Sequence, residues 1–138
     1  MITEDYVSFK VAKLLKEKGF DGECREFWKD WNGEIRLCSC NRAHIFDYCH
    51  NSMLERYNDT EETNIAAPTL QMAMKWLREV HNKSIEVRSQ GLKATSIGWV
   101  VEIYNLRTQD EEYHHPYTFP TYEEACEAVI KYCLKNLI

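Results

Sequence analysis

The second half of the chain carries two amphipathic helix patterns that bracket three strand patterns, and this order constrains the fold most. From Pro68, apolar residues recur at helical spacing to Val80, while charged residues occupy the opposite side. Thr121 and Glu124 form a capping box, and an apolar stripe then runs to the end of the chain. We therefore expect residues 68–138 to form a compact αβββα unit.

The three runs between those helices show the alternation typical of strands. They are Ser84 to Ser89, Thr95 to Leu106 and Glu112 to Phe119. Polar residues separate the last two runs, which favours an antiparallel meander. The helices should pack on one face of this sheet and leave the other face to solvent or to a partner.

A hairpin is predicted in the first half of the chain, where Asn32-Gly33 separates the runs Cys24 to Trp31 and Glu34 to Cys40. A two-residue turn fixes the cross-strand pairs, among them Trp28 with Leu37 and Lys29 with Arg36. The second pair brings like charges together, which destabilises a sheet.

An amphipathic helix is predicted before the hairpin, capped by Thr3 and stopped by Gly19. Residues 41–67 are expected to be an irregular insert. Within it, residues 52–57 could form one or two helical turns, and residues 59–64 resemble a solvated loop. The expected fold is a single α+β domain, residues 1–138, with three helices and an antiparallel sheet in the order α-ββ-α-βββ-α.

Composition and charge narrow the class of protein. Hydrophobic residues make up 44% of the 138 residues and the net charge is −5, so the chain should fold and should not bind nucleic acid. The first five residues include the acidic Glu4 and Asp5 where a secretory signal would be basic, and no apolar run could span a membrane. We expect a cytoplasmic protein, with no membrane partner, in which the six cysteines stay reduced.

Cysteines and histidines crowd together between residues 38 and 50. Four of them follow the order of a zinc knuckle: Cys38, Cys40, His44 and Cys49. One residue separates the first two cysteines and three precede the histidine, which is one fewer at each place than a knuckle has. A structural role for these cysteines is therefore favoured, while a zinc site and a redox pair of Cys38 with Cys40 remain open.

Other catalytic signals are weak. Cys126 and Cys133 lie on the apolar stripe of the last helix, where burial makes thiols inert. The chain has cysteines and histidines, but no strand-turn-helix elbow frames a nucleophile beside a base. It also lacks a glycine-rich phosphate loop. We therefore predict a protein that is not an enzyme and has no cofactor.

Aromatic and basic residues supply the candidate binding site. They are Trp28, Trp31, Tyr104, Tyr113, His115 and Tyr117, with Arg88, Arg107 and Lys93. Tryptophan and tyrosine bury large areas and keep a polar group, so this set could contact a protein or a flat ligand such as a nucleotide. For His115 and its neighbour His114, ordinary strand-edge polarity is the plainer interpretation.

Three segments resemble a group of short, uncharacterised proteins from bacteriophages and mobile elements of gut bacteria. These segments are Ile2–Phe20, Ala67–His81 and Thr121–Leu134, the three predicted helices. The resemblance implies no activity and no catalytic residue. It implies an interaction protein in a bacterial host cell, which engages a host, phage or defence-system factor. We expect a non-enzymatic interaction module that self-associates, with a nucleotide-signal binder and a zinc module as alternatives.

Overall fold

Ser8 caps the first helix, α1 (Phe9–Glu17), because its hydroxyl accepts a hydrogen bond from Val11 N at 3.2 Å. The cap predicted at Thr3 is wrong, since residues 2–5 lie outside the helix, which begins at Phe9. The predicted stop at Gly19 is confirmed by its φ of 92°. The structure, a computed structural model, describes residues 2–40, 47–92 and 96–138. The chain divides into two compact units, Met1–Thr69 and Leu70–Ile138.

The first unit contains a three-stranded antiparallel sheet in the order β2-β1-β3. Its strands are β1 (Glu26–Trp31), β2 (Glu34–Ser39) and β3 (Glu62–Ala67). The predicted hairpin is confirmed together with its register, in which Trp28 lies opposite Leu37 and Lys29 opposite Arg36. The central strand is therefore β1, and β2 lies at one edge.

The segment before β3 departs from the predicted order. A short helix, α2 (Asn51–Leu54), continues into a single 3-10 turn (Glu55–Tyr57), and β3 then pairs with β1. The prediction of three helices is wrong, since the described residues form four, and the predicted loop 59–64 runs into a strand. The side chain of Asn51 explains the position of α2, because it donates to Phe20 O and accepts from Ala66 N.

The second unit contains a separate antiparallel sheet in the order β4-β5-β6, flanked by two helices. The elements are α3 (Leu70–His81), β4 (Lys83–Leu92), β5 (Ser96–Asn105), β6 (Glu111–His114) and α4 (Tyr122–Asn136). The hairpin and the meander thus belong to two sheets rather than to one. The Thr121 cap is confirmed, since its hydroxyl accepts from Glu124 N at 3.1 Å. The α+β class is also confirmed.

Helix α4 covers one face of the second sheet. Tyr132 of α4 stacks on Tyr113 of β6 at 3.6 Å between ring centroids, and Tyr122 meets Trp99 edge to face at 5.2 Å. Ile103 shares this face, because it lies opposite Tyr113, and it is fully buried. The alternating neighbours of these residues therefore point to the other face of the sheet. Within the described ranges, none of the helices is both long enough and apolar enough to cross a membrane.

Candidate interaction surface

The tip of the β1–β2 hairpin is a two-residue turn held by hydrogen bonds. Asn32 and Gly33 both have positive φ, 51° and 86°, as a two-residue hairpin turn requires. The Asp30 carboxylate accepts a hydrogen bond from Gly33 N at 2.9 Å, and Asn32 N donates to Glu61 O at 3.0 Å. The turn is thus fixed both to its own strand and to the residue that precedes β3.

Edge strand β2 is exposed on both faces at its first four residues. Glu34, Ile35, Arg36 and Leu37 are all exposed, and the two apolar side chains keep 45% and 40% of their accessible surface. Trp31, at the end of β1, keeps 57%. Three large apolar side chains are therefore open to solvent at one end of this sheet, which is typical of a contact surface.

Charged side chains line one face of the hairpin around Trp31. Lys29 lies over the Trp31 ring at 6.0 Å and forms an ion pair with Glu62 at 2.6 Å. Arg36 Nε donates to a carboxylate oxygen of Glu34 at 3.0 Å. A cleft of about 290 Å³ is lined by these groups, namely Lys29, Trp31, Glu34, Arg36 and Cys38. The charges on this face are balanced in sign.

Trp28, the other predicted tryptophan, points to the opposite face of β1. Its Nε1 donates to Val7 O at 2.9 Å, and its ring meets Phe9 edge to face at 6.4 Å. Trp28 shares this face with Leu37 and Ile65, its cross-strand partners. Trp28 therefore packs against the start of α1 and the residue Val7 that precedes it. Trp28 is a packing residue, whereas Trp31 is a surface residue.

Three cysteines of the first unit lie buried near the start of β1. Cys24 pairs with Cys49 through two backbone hydrogen bonds of 2.7 and 2.8 Å, and the Cys40 thiol lies 3.8 Å from Cys24 O. Burial raises the pKa of Cys24 to about 12 and also raises the pKa values of Cys40 and Cys49. These thiols stay protonated at neutral pH, which suits a packing role.

The residues of the predicted zinc site are only partly brought together. Cys40 and Cys49 are fully buried, whereas Cys38 is half-buried on β2 with its thiol 3.9 Å from Arg36 O. In the part of the chain that the structure describes, no group of three or more potential ligands is arranged to hold a metal ion. His44 lies outside the described residues, so zinc binding stays a prediction.

Arg88 and Tyr104 meet on the face of the second sheet opposite α4, where both bond to Glu102. Arg88 Nη2 lies 2.7 Å from the carboxylate, and the Tyr104 hydroxyl donates to its other oxygen. The hydrogen bonds from Tyr104 and Arg88 lower the pKa of Glu102, while Glu102 raises the pKa of Tyr104 to about 12. His114 Nδ1 lies 3.7 Å from the same carboxylate. These polar groups are therefore satisfied by one another.

The remaining predicted residues of the second unit lie elsewhere. Tyr113 packs under α4, and His115 lies between Tyr117 and Phe119, at 6.1 and 4.7 Å between ring centroids. Tyr117 is exposed, and Arg107 lies in the exposed turn after β5. Lys93 lies outside the described residues. The predicted aromatic set is thus divided between different faces and both units.

Sequence reasoning missed Ile35 and Leu37 as surface residues. The alternation of charged and apolar residues in β2 predicts one buried face, and it says nothing about which strand forms the edge of the sheet. The signal that could have identified them is the balance of Glu34 and Arg36 around Ile35, since charged side chains are frequent on edge strands.

Comparison of the chain with family models, with curated proteins and with solved structures finds no match.

Proposed function

We propose that the chain is a non-enzymatic protein-interaction module whose contact surface is the β1–β2 hairpin. The observation that carries this proposal is the exposure of four successive residues of edge strand β2 beside exposed Trp31. An edge strand with apolar side chains is a template for a partner strand, and natural proteins usually cover or charge such edges.

The backbone of β2 supports this mode of binding. The two-residue turn makes Trp31 and Glu34 a hydrogen-bonded pair, so alternate residues of β2 bond to β1. The N–H and C=O groups of Ile35 and Leu37 consequently point away from β1. A partner strand would satisfy these groups and would cover both side chains at the same time.

The side chains provide specificity. Trp31 supplies a large, stiff ring at the hairpin tip, and the cleft beside it is flanked by Lys29 and Arg36. Tryptophan and arginine are the residue types most enriched at the energetic centres of interfaces. The raised thiol pKa values fit a binding function better than catalysis, because the nucleophile in cysteine chemistry is the thiolate.

A nucleotide-binding function has weaker support. Arg88 is one of the basic residues of the predicted binding set, but its guanidinium pairs with Glu102. Three carboxylates belong to the strands of the same sheet: Glu86, Glu102 and Glu111. They would repel the phosphate group of a nucleotide.

Selection from a library of extended peptides tests the proposal. Peptides that bind the immobilised protein should lose roughly thirtyfold in affinity for Trp31→Ala, as expected for a central interface residue, and a comparable factor for Ile35→Lys. Tyr117→Ala is the matched control, since it removes an exposed aromatic ring from the second unit. Peptides that bind the two hairpin variants as tightly as the original protein would contradict the proposal, as would a selection that yields no binder.

A further inference from the structure

We infer that the partner strand is β2 of a second copy of this chain, paired antiparallel about a two-fold axis at Ile35. This inference rests on the proposed function and names its partner. Its basis is the charge pattern of β2, which complements itself in one register.

Alternation places Glu34 and Arg36 on one face of β2 and Ile35 and Leu37 on the other. A two-fold axis perpendicular to the sheet keeps each face on its own side, so only residues of equal parity can lie opposite each other. With Ile35 opposite Ile35 of the second copy, Glu34 lies opposite Arg36 of that copy, and Arg36 opposite its Glu34. One register therefore creates two cross-strand pairs of opposite charge.

The apolar face fits the same register. The two Ile35 side chains meet at the axis, and each Leu37 lies opposite Gly33 of the other copy, where no side chain competes for space. Leu37 is then diagonal to Ile35 of the second copy, within reach of a long side chain. The two exposed apolar side chains of each copy, Ile35 and Leu37, would thus form one cluster of four across the dimer.

Neighbouring registers lack this complementarity. A shift of the axis to Arg36 places the two guanidinium groups opposite each other, and a shift to Leu37 leaves Arg36 opposite Cys38. The outer edge of β2 carries no paired strand among the described residues. The backbone groups of Ile35 that point away from β1 would form the hydrogen bonds at the axis.

The existing contacts of the charged residues do not oppose this pairing. Arg36 already bonds to Glu34 of its own strand, and both side chains are largely exposed, at 72% and 62%. In the dimer the two pairs would join into a cluster of four alternating charges. A short edge contact of this kind is weak, with a dissociation constant on the order of 100 µM.

Sedimentation velocity over a concentration series, with charge reversals in β2, tests the inference. Glu34→Arg and Arg36→Glu each place like charges opposite one another in the self-pair, so each should weaken self-association about tenfold. An equimolar mixture of these two variants should restore the original affinity, because the mixed dimer again pairs opposite charges at both positions. The double variant that exchanges the two residues should also associate like the original.

The results distinguish the two-fold β2 dimer from a monomer and from association through other residues. A chain that stays monomeric to about 1 mM, or variants whose mixture does not restore association, would overturn the two-fold pairing. Peptide binding that depends on Ile35 and Trp31 would still support the proposed function in that case. Restoration in the mixture also shows that both variants fold, so weakened association could not be attributed to unfolding.

Discussion

The two three-stranded sheets of this protein differ in the side chains that they expose to solvent. In the second unit, the face away from α4 carries a polar network in which Arg88 and Tyr104 both bond to Glu102. In the first unit, edge strand β2 leaves Ile35 and Leu37 open to solvent. An exposed sheet surface whose polar groups bond to one another needs no partner, whereas exposed apolar side chains beside free backbone groups gain from one.

The largest expected difference concerns two isoleucines, one in each sheet. Ile103 in β5 is fully buried, and Ile35 in β2 is 45% exposed. Ile103→Ala should lower the free energy of unfolding by about 2–5 kcal/mol through lost burial and a cavity. Ile35→Ala should change it by less than about 0.5 kcal/mol. Urea unfolding followed by tryptophan fluorescence measures both, and equal losses would remove the distinction between the two sheets.

In the first unit, a buried polar side chain of α2 joins β3 to the segment that follows α1. Asn51 is 5% exposed and bonds to the backbone of Phe20 and Ala66 at 2.8 and 2.9 Å. Asn51→Ala leaves two buried backbone groups unsatisfied and should cost about 2–4 kcal/mol.

Asn136→Ala is the matched control for this substitution. Asn136 is exposed and donates a hydrogen bond within α4, to Tyr132 O at 3.0 Å, so its loss should cost under about 0.5 kcal/mol. Hydrogen exchange separates the effects, since Asn51→Ala should speed exchange in β3. If exchange in β3 is unchanged, Asn51 does not hold the sheet.

The smallest expected effect is the pH dependence of the polar network. Because hydrogen bonds lower the pKa of Glu102 in the folded state, its contribution is present above the unfolded pKa of about 4.3 and is lost as pH falls through the folded pKa. This contribution should be less than about 1 kcal/mol, since Arg88 is exposed.

Comparison of the original chain with Glu102→Gln measures this contribution. The two free energies of unfolding should differ at about pH 7 and converge at about pH 3. Tyr104→Phe removes one of the two hydrogen bonds, so it should only partly reduce the pH-dependent contribution of Glu102 to the free energy of unfolding. A difference between the original chain and Glu102→Gln that grows as pH falls would mean that the carboxylate is not stabilised by this network.

Local chemistry made much of the fold predictable. Asn32-Gly33 specified both the hairpin and its register, because positive φ at two successive residues leaves few alternatives. Thr121 specified the start of α4, because the side chain that caps the helix lies next to it in sequence. Both signals are complete within a few residues, so no knowledge of the rest of the chain is needed.

Strand β3 could not be predicted, because its signal is not local. Its residues Asn64, Ala66 and Ala67 are poor strand formers, and they are buried because β1, Asn51 and Asn58 satisfy their backbone and side-chain groups. The candidate surface was missed for the same reason. Which strand becomes the edge depends on the side to which β3 attaches, and Ile35 is exposed only because β3 takes the other side of β1.

The strand orders of the two sheets also have a consequence for the time course of folding. In the second sheet every strand pairs with the strand before it in the chain, so each pairing closes a short loop. In the first sheet, β3 pairs with β1 across the long segment between Trp31 and Glu62. Closing this longer loop costs more conformational entropy before the strand contacts can form. The β4-β5-β6 meander should therefore form early, and a newly made chain would present the β1–β2 hairpin with both of its edges open before β3 closes one of them.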